Sequence, residues 1–132
     1  MAKNNDPLAS LVSTDSKATD RKKLADLMLP YMIIDQDTKG FGFHQAFHDM
    51  DGNDIKIELL LAGVKARALY FDMTDGLLPA EIISAGLMPE GSVKTSLKKL
   101  FDKHHIKKDK DGRYFLPAHR VTDIIKKTNS KE

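Results

Sequence analysis

The sequence contains no cysteine and no tryptophan. Lacking cysteine, it has no disulfide framework, no thiolate zinc site, no iron–sulfur ligation and no cysteine nucleophile. Long apolar runs are missing as well. The longest apolar cluster, Ile57 to Leu61, is already broken by Glu58, far short of the roughly 18 residues of a membrane span. Met1-Ala2-Lys3-Asn4-Asn5-Asp6 is not followed by the apolar stretch of a secretory signal. What is present is 132 residues, about one domain's length, with 41% apolar and 30% charged residues. That balance is too apolar for a wholly disordered chain. The expectation is a soluble cytoplasmic protein with no membrane association.

The net charge of +2 conceals an asymmetry. Residues 1–87 carry nine Lys/Arg and thirteen Asp/Glu, a net of −4. Residues 88–128 carry eleven Lys/Arg against five acids (Glu90, Asp102, Asp109, Asp111 and Asp123), a net of +6. A basic C-terminal third fits either a face for a polyanion or a lysine-rich solubilising surface.

Residues 1–18 are rich in Ser, Thr, Asn, Asp and Lys, with only a small apolar patch at Leu8, Leu11 and Val12, and read as a mobile tail. Thr19 or Asp20 is a suitable N-cap for a helix carrying Leu24, Leu27 and Met28 on one face, ended near Pro30. Met32 to Ile34 and Phe41 to Phe43 flank an Asp-x-x-Gly turn, the pattern of a β-hairpin. Asn53 or Asp54 then caps a long helix to about Phe71, apolar over much of its circumference and therefore central. Leu78 to Ala85, with Pro79 in its first turn and Gly86 beyond its end, is a short helix. Ser92 caps a third helix, Val93 to about His104, buried through Val93, Leu97, Leu100 and Phe101. Ile106 to Leu116 reads as a second hairpin around Asp111-Gly112, and Arg120 to about Lys127 as a last helix.

Between the two short helices lies Gly86-Leu-Met-Pro-Glu-Gly91, a corner with glycine at both ends. After it comes Gly91-Ser-Val-Lys-Thr-Ser-Leu-Lys-Lys-Leu-Phe-Asp-Lys-His-His-Ile-Lys-Lys-Asp-Lys-Asp-Gly-Arg-Tyr-Phe-Leu-Pro117. This stretch resembles the recognition helix and wing of the winged helix-turn-helix superfamily, and the resemblance covers about half the chain. With the elements read above, it implies a mainly α fold with small β-hairpins (α+β), a winged domain at 53–128 preceded by the helix–hairpin extension at 19–52, which the resemblance does not cover. The partner it implies is double-stranded DNA, held by the helix at 92–104 and the wing at 106–116.

The candidate DNA-binding residues are Ser92, Lys94, Thr95, Lys98 and Lys99 on the helix, Lys107, Lys108, Lys110 and Arg113 on the wing, and Arg120 on the last helix. The helix offers no Arg, Asn or Gln for bidentate base reading, so modest sequence specificity is expected of a protein of transcriptional-regulator type. The alternative is a winged module that binds another protein and uses its lysines as a solvated face. The apolar positions of the extension either wrap the long helix or join a second copy as a homodimer.

Other constellations read as structural. His44 and His48, followed by Asp49 and Asp51, lack further ligands at a convincing spacing, so no metal or other cofactor is expected. Asp35-x-Asp37-x-Lys39-Gly40 has Ala46 where a calcium loop needs Glu, and reads as a turn. His104 and His105 suit a helix C-terminus. Phe41 and Phe43 offer a base-stacking platform, against the simpler reading that they pack on the long helix. No local signature selects a catalytic triad or a phosphate loop, and the chain reads as a non-enzyme.

Overall fold

The structure, a computed structural model, describes residues 20–129. The tail expected at 1–18 and the Thr19 cap lie outside the described residues. In order, the elements are α1 (Arg21–Met28), β1 (Met32–Ile34), β2 (Phe41–Phe43), α2 (Gln45–His48), α3 (Asn53–Phe71), α4 (Pro79–Ser84), α5 (Glu90–Asp102), β3 (Lys107–Lys108), β4 (Tyr114–Phe115) and α6 (Ala118–Asn129). The fold is mainly helical, with two small antiparallel hairpins, β1–β2 and β3–β4.

α3 is the axis of the molecule. Its residues 57–65 are buried without interruption, including Leu59, Leu60, Leu61 and Val64. A helix apolar on all sides needs neighbours on all sides, and α1, β1, α5 and β4 supply them. One continuous core runs from Leu24 and Met28 on α1 through Ile57, Leu97 and Leu100 to Val121 and Ile124 on α6. The helix and hairpin before α3 are therefore packed into the same interior as the part that follows.

Several boundaries differ from the sequence-based expectation. α1 starts as expected, with the Asp20 side chain accepting from the Lys23 N–H at 3.0 Å. It stops at Met28, yet Leu29 keeps helical dihedrals, so the missing N–H of Pro30 is what ends the ladder. The cap of α3 is Gly52, not Asn53 or Asp54, because Asp54 turns instead toward α5. α5 begins at Glu90 behind Pro89 and not at Ser92, which falls in its first turn. It ends at Asp102, before His104 at φ 63°. The short α2 was not foreseen, and α6 starts at Ala118, two residues earlier than expected.

Two buried ion pairs tie the periphery to α3. Glu58 receives Arg120 from α6 through Nε at 2.6 Å and Nη2 at 3.3 Å. Lys65, fully buried, reaches Asp75 at 2.7 Å and lies under the Phe115 ring at 5.6 Å. Beside that pair Leu77 forms an antiparallel bridge to Tyr114, with N···O distances of 2.9 and 2.8 Å, adding a third strand position to the β3–β4 hairpin. Gly76 makes this approach possible. Its φ is +88°, and a Cβ there would sit 2.8 Å from the Tyr114 carbonyl oxygen. Arg113 donates to Glu81 at 2.9 Å, and the same Glu81 oxygen accepts from the Leu78 N–H at 2.8 Å. The second hairpin is thus anchored to α3 and to the start of α4.

Candidate nucleic-acid interface

The outward side of α5 follows from its inward one. Val93, Ser96, Leu97 and Leu100 are buried, which leaves Lys94, Thr95, Lys98 and Lys99 exposed. At four-residue spacing along that side run Glu90, Lys94, Lys98 and Asp102, a stripe with an acid at each end. The pairing is local: Lys94 meets Glu90 at 3.0 Å and Lys98 meets Asp102 at 2.9 Å. Lys99 leans the other way and meets Asp54 of α3 at 3.2 Å.

Asp54 is the acid that joins α5 to the start of α3. Its partial burial would raise its pKa, but hydrogen bonds from Ser96 and Lys99, with the charges of Lys99 and Lys103, hold the carboxyl below its ordinary value. Ser96 is buried, and its hydroxyl serves this carboxylate. Ser92, Thr95 and Lys99 line a cleft of about 510 Å³ between α5 and residues 51–55. The cleft has mixed charge, with Asp51 and Asp54 on its far wall.

The hairpin meets α5 at an aromatic contact. Phe101, expected in the core, is 41% exposed and stands edge-on to Tyr114 with ring centroids 6.0 Å apart. Lys108 Nζ lies over both rings, at 5.4 Å from Phe101 and 4.9 Å from Tyr114. The last turn of α5 and the base of the β3–β4 hairpin are therefore in direct contact. Lys107 and Lys110 are exposed on the same hairpin. Its tip is shaped by Asp109, whose side chain accepts from the N–H groups of Asp111 and Arg113, each at 2.9 Å.

The ten candidate residues therefore divide. Lys94, Thr95, Lys98, Lys99, Lys107, Lys108 and Lys110 are exposed on α5 and the β3–β4 hairpin, and Ser92 is half-buried. Arg113 is committed to Glu81. Arg120 stands apart: its side chain is 13% exposed and clamped on buried Glu58. Arg120 serves the packing of α6 rather than an exposed face. Sequence reasoning missed Lys103, exposed at the end of α5; the four-residue step from Lys99 was the signal that would have found it. It also missed Phe101, whose contact with Tyr114 spans two elements.

The other constellations resolve into local structure. Asp35 accepts from the backbone N–H groups of Asp37 and Thr38 at 3.0 and 2.7 Å, and the Thr38 bond above all holds its carboxyl below the ordinary value. His48 packs edge-on against Phe43 and Phe47. Phe43 stacks on buried Phe47 at 4.6 Å and Phe41 lies against Arg67, so neither ring forms an open platform. Burial pushes the Arg67 pKa down, and its Nη1 donates to the Lys39 carbonyl at 2.9 Å. Among the described residues no three His, Cys, Asp or Glu side chains gather as metal ligands. Among them, too, no helix is long and apolar enough to cross a membrane. In comparisons with known proteins, no family model, no curated protein and no solved structure matches this chain.

Proposed function

We propose that this chain is a cytoplasmic DNA-binding protein of winged helix-turn-helix type. It would lay α5 against duplex DNA and its β3–β4 wing along the neighbouring backbone. The observation that carries this reading is the Lys108–Phe101–Tyr114 contact, which joins the end of α5 to the β3–β4 hairpin, the two elements that carry the exposed candidate lysines. The bridge from Leu77 to Tyr114 supports it by tying the wing to the segment that leads into α4. A rod of helical diameter fits the major groove, and lysine contacts to phosphate are sequence-independent. With Lys94, Thr95 and Lys98 as the groove-facing side chains, specificity is modest.

A second reading has its own support. The three exposed lysines of α5 each have an acid within 3.2 Å, which suits a solvated face on a module that binds protein. Binding to an arbitrary duplex, followed by fluorescence anisotropy across a salt titration, separates the two. DNA binding through several phosphates requires a steep loss of affinity between about 50 and 200 mM salt. The double change Lys94→Ala with Lys98→Ala weakens that binding and leaves thermal unfolding unchanged. Absent or salt-insensitive binding by the wild type refutes the DNA reading and leaves the protein module.

A further inference from the structure

Away from α5 and the wing lies a second surface, apolar instead of basic. α1, β1 and the second half of α3 enclose a trough of about 490 Å³, floored by Met28, Met32 and Gly63. On its rim are the three most exposed large apolar side chains among the described residues, Leu29 at 65%, Ile33 at 56% and Tyr70 at 70%. Gly63 keeps the floor low, since a Cβ there would lie 2.5 Å from Met32 Sδ.

Backbone also borders the trough. Tyr31 pairs with His44 and Asp35 with Gly40 across the first hairpin, in register with Ile33 opposite Gly42. The antiparallel alternation therefore turns the N–H and C=O of Met32 and Ile34 away from β2. An occupant with both apolar side chains and peptide groups suits such a site better than a small apolar molecule does. A second copy fits poorly, because a two-fold contact needs a patch complementary to itself and a trough facing a trough is not one.

We infer that the occupant is this chain's own N-terminal segment, anchored by Leu8, Leu11 and Val12. Position argues for it. Nineteen residues precede Asp20, the cap of α1, and α1 itself forms one wall of the trough. The seven residues from 13 to 19 reach up to about 23 Å, further than the roughly 12 Å length of α1. In the otherwise polar segment 3–17, Leu8, Leu11 and Val12 are the only large apolar side chains. Tethering at about millimolar effective concentration lets so small a contact form.

The absence of cysteine makes the test clean. A nitroxide is attached to the full-length Ser10→Cys protein, and paramagnetic broadening of the amides is read by NMR. The expected result is selective broadening of Leu29, Ile33 and Tyr70 that disappears when Leu8, Leu11 and Val12 are all changed to Ser. Broadening that is absent, or unaffected by those three changes, overturns the proposal. A mixture of spin-labelled unlabelled-isotope protein with ¹⁵N protein covers the other occupant. Broadening of the trough in that mixture means a second copy fills it, which also overturns the proposal. None of these outcomes depends on DNA binding.

Discussion

Replacing Arg120 by Ala provides the sharpest check on how this molecule is held together. Glu58 is buried in the first half of α3, and Arg120 is its bidentate partner at 2.6 and 3.3 Å. Asp123, 3.9 Å from the same guanidinium, is a second acid and offers Glu58 no countercharge once Arg120 is gone. Removing the guanidinium leaves a carboxylate without compensation inside the core, for which the cost is about 3–5 kcal/mol. For a domain of this size that is a fall in Tm of roughly 10–20 °C. Urea unfolding followed by circular dichroism measures it, with an unchanged slope showing that the native and unfolded states are otherwise alike. Changing both residues to Met removes the charge together with its partner, and restores most of the loss or exceeds the wild type. A loss under about 1 kcal/mol for Arg120→Ala, within the range of an exposed pair, would refute the assignment of this contact to the interior. On the proposed DNA reading, the Arg120→Ala protein below its lowered Tm keeps wild-type affinity for a duplex, because the side chain faces Glu58.

Three further outcomes follow from the same geometry. Gly76→Ala places a side chain at φ +88° and 2.8 Å from the Tyr114 carbonyl; it costs about 1–3 kcal/mol of stability and frees the Leu77 and Tyr114 amides for hydrogen exchange. Changing Lys107, Lys108 and Lys110 to Ala lowers the slope of log affinity against log salt by about one per lysine that contacted phosphate, and an unchanged slope removes the wing from the interface. The Asp54 carboxyl is held below its ordinary value of 3.8 in the folded chain, so its stabilisation is fully present above that pH and is lost as pH falls through the lower folded value. Asp54→Asn therefore flattens the decline of stability on the acid side, read as urea midpoints at pH 5 and pH 3, and an identical decline in both proteins argues against the contact.

Periodicity made the helices legible, because burial of a 3.6-residue repeat is a local property of the chain. α3 is the exception: its apolar residues surround the whole cylinder, so it was legible from the length and composition of its run, which places it at the centre before any coordinates are seen. Turn chemistry at Asp35 and at Asp109–Gly112 was equally local, since short side chains bond to backbone two to four residues away. The lysines of α5 and the wing could be assigned to the exposed side for the same reason. Helix starts were read less well. Ser92, Asn53 and Asp54 each have the chemistry of a cap, yet the capping positions are Pro89 and Gly52, and Asp54 is turned to Ser96 and Lys99 of α5.

The sequence alone therefore determined which segments are helical, the one-turn α2 excepted, which stretches turn, and that the positive charge is gathered after residue 88. Only the tertiary structure decided which cations are available. Arg120 looks like any other base in the sequence, but Glu58, 62 residues earlier, takes it into the interior. Phe101 has the spacing of a core residue, but Tyr114 and Lys108 from the hairpin hold it at the surface. Such partners are distant along the chain and are chosen by how the elements pack around α3. A local pattern carries no information about charge compensation across that distance, and that compensation sets the accessible charge of the face.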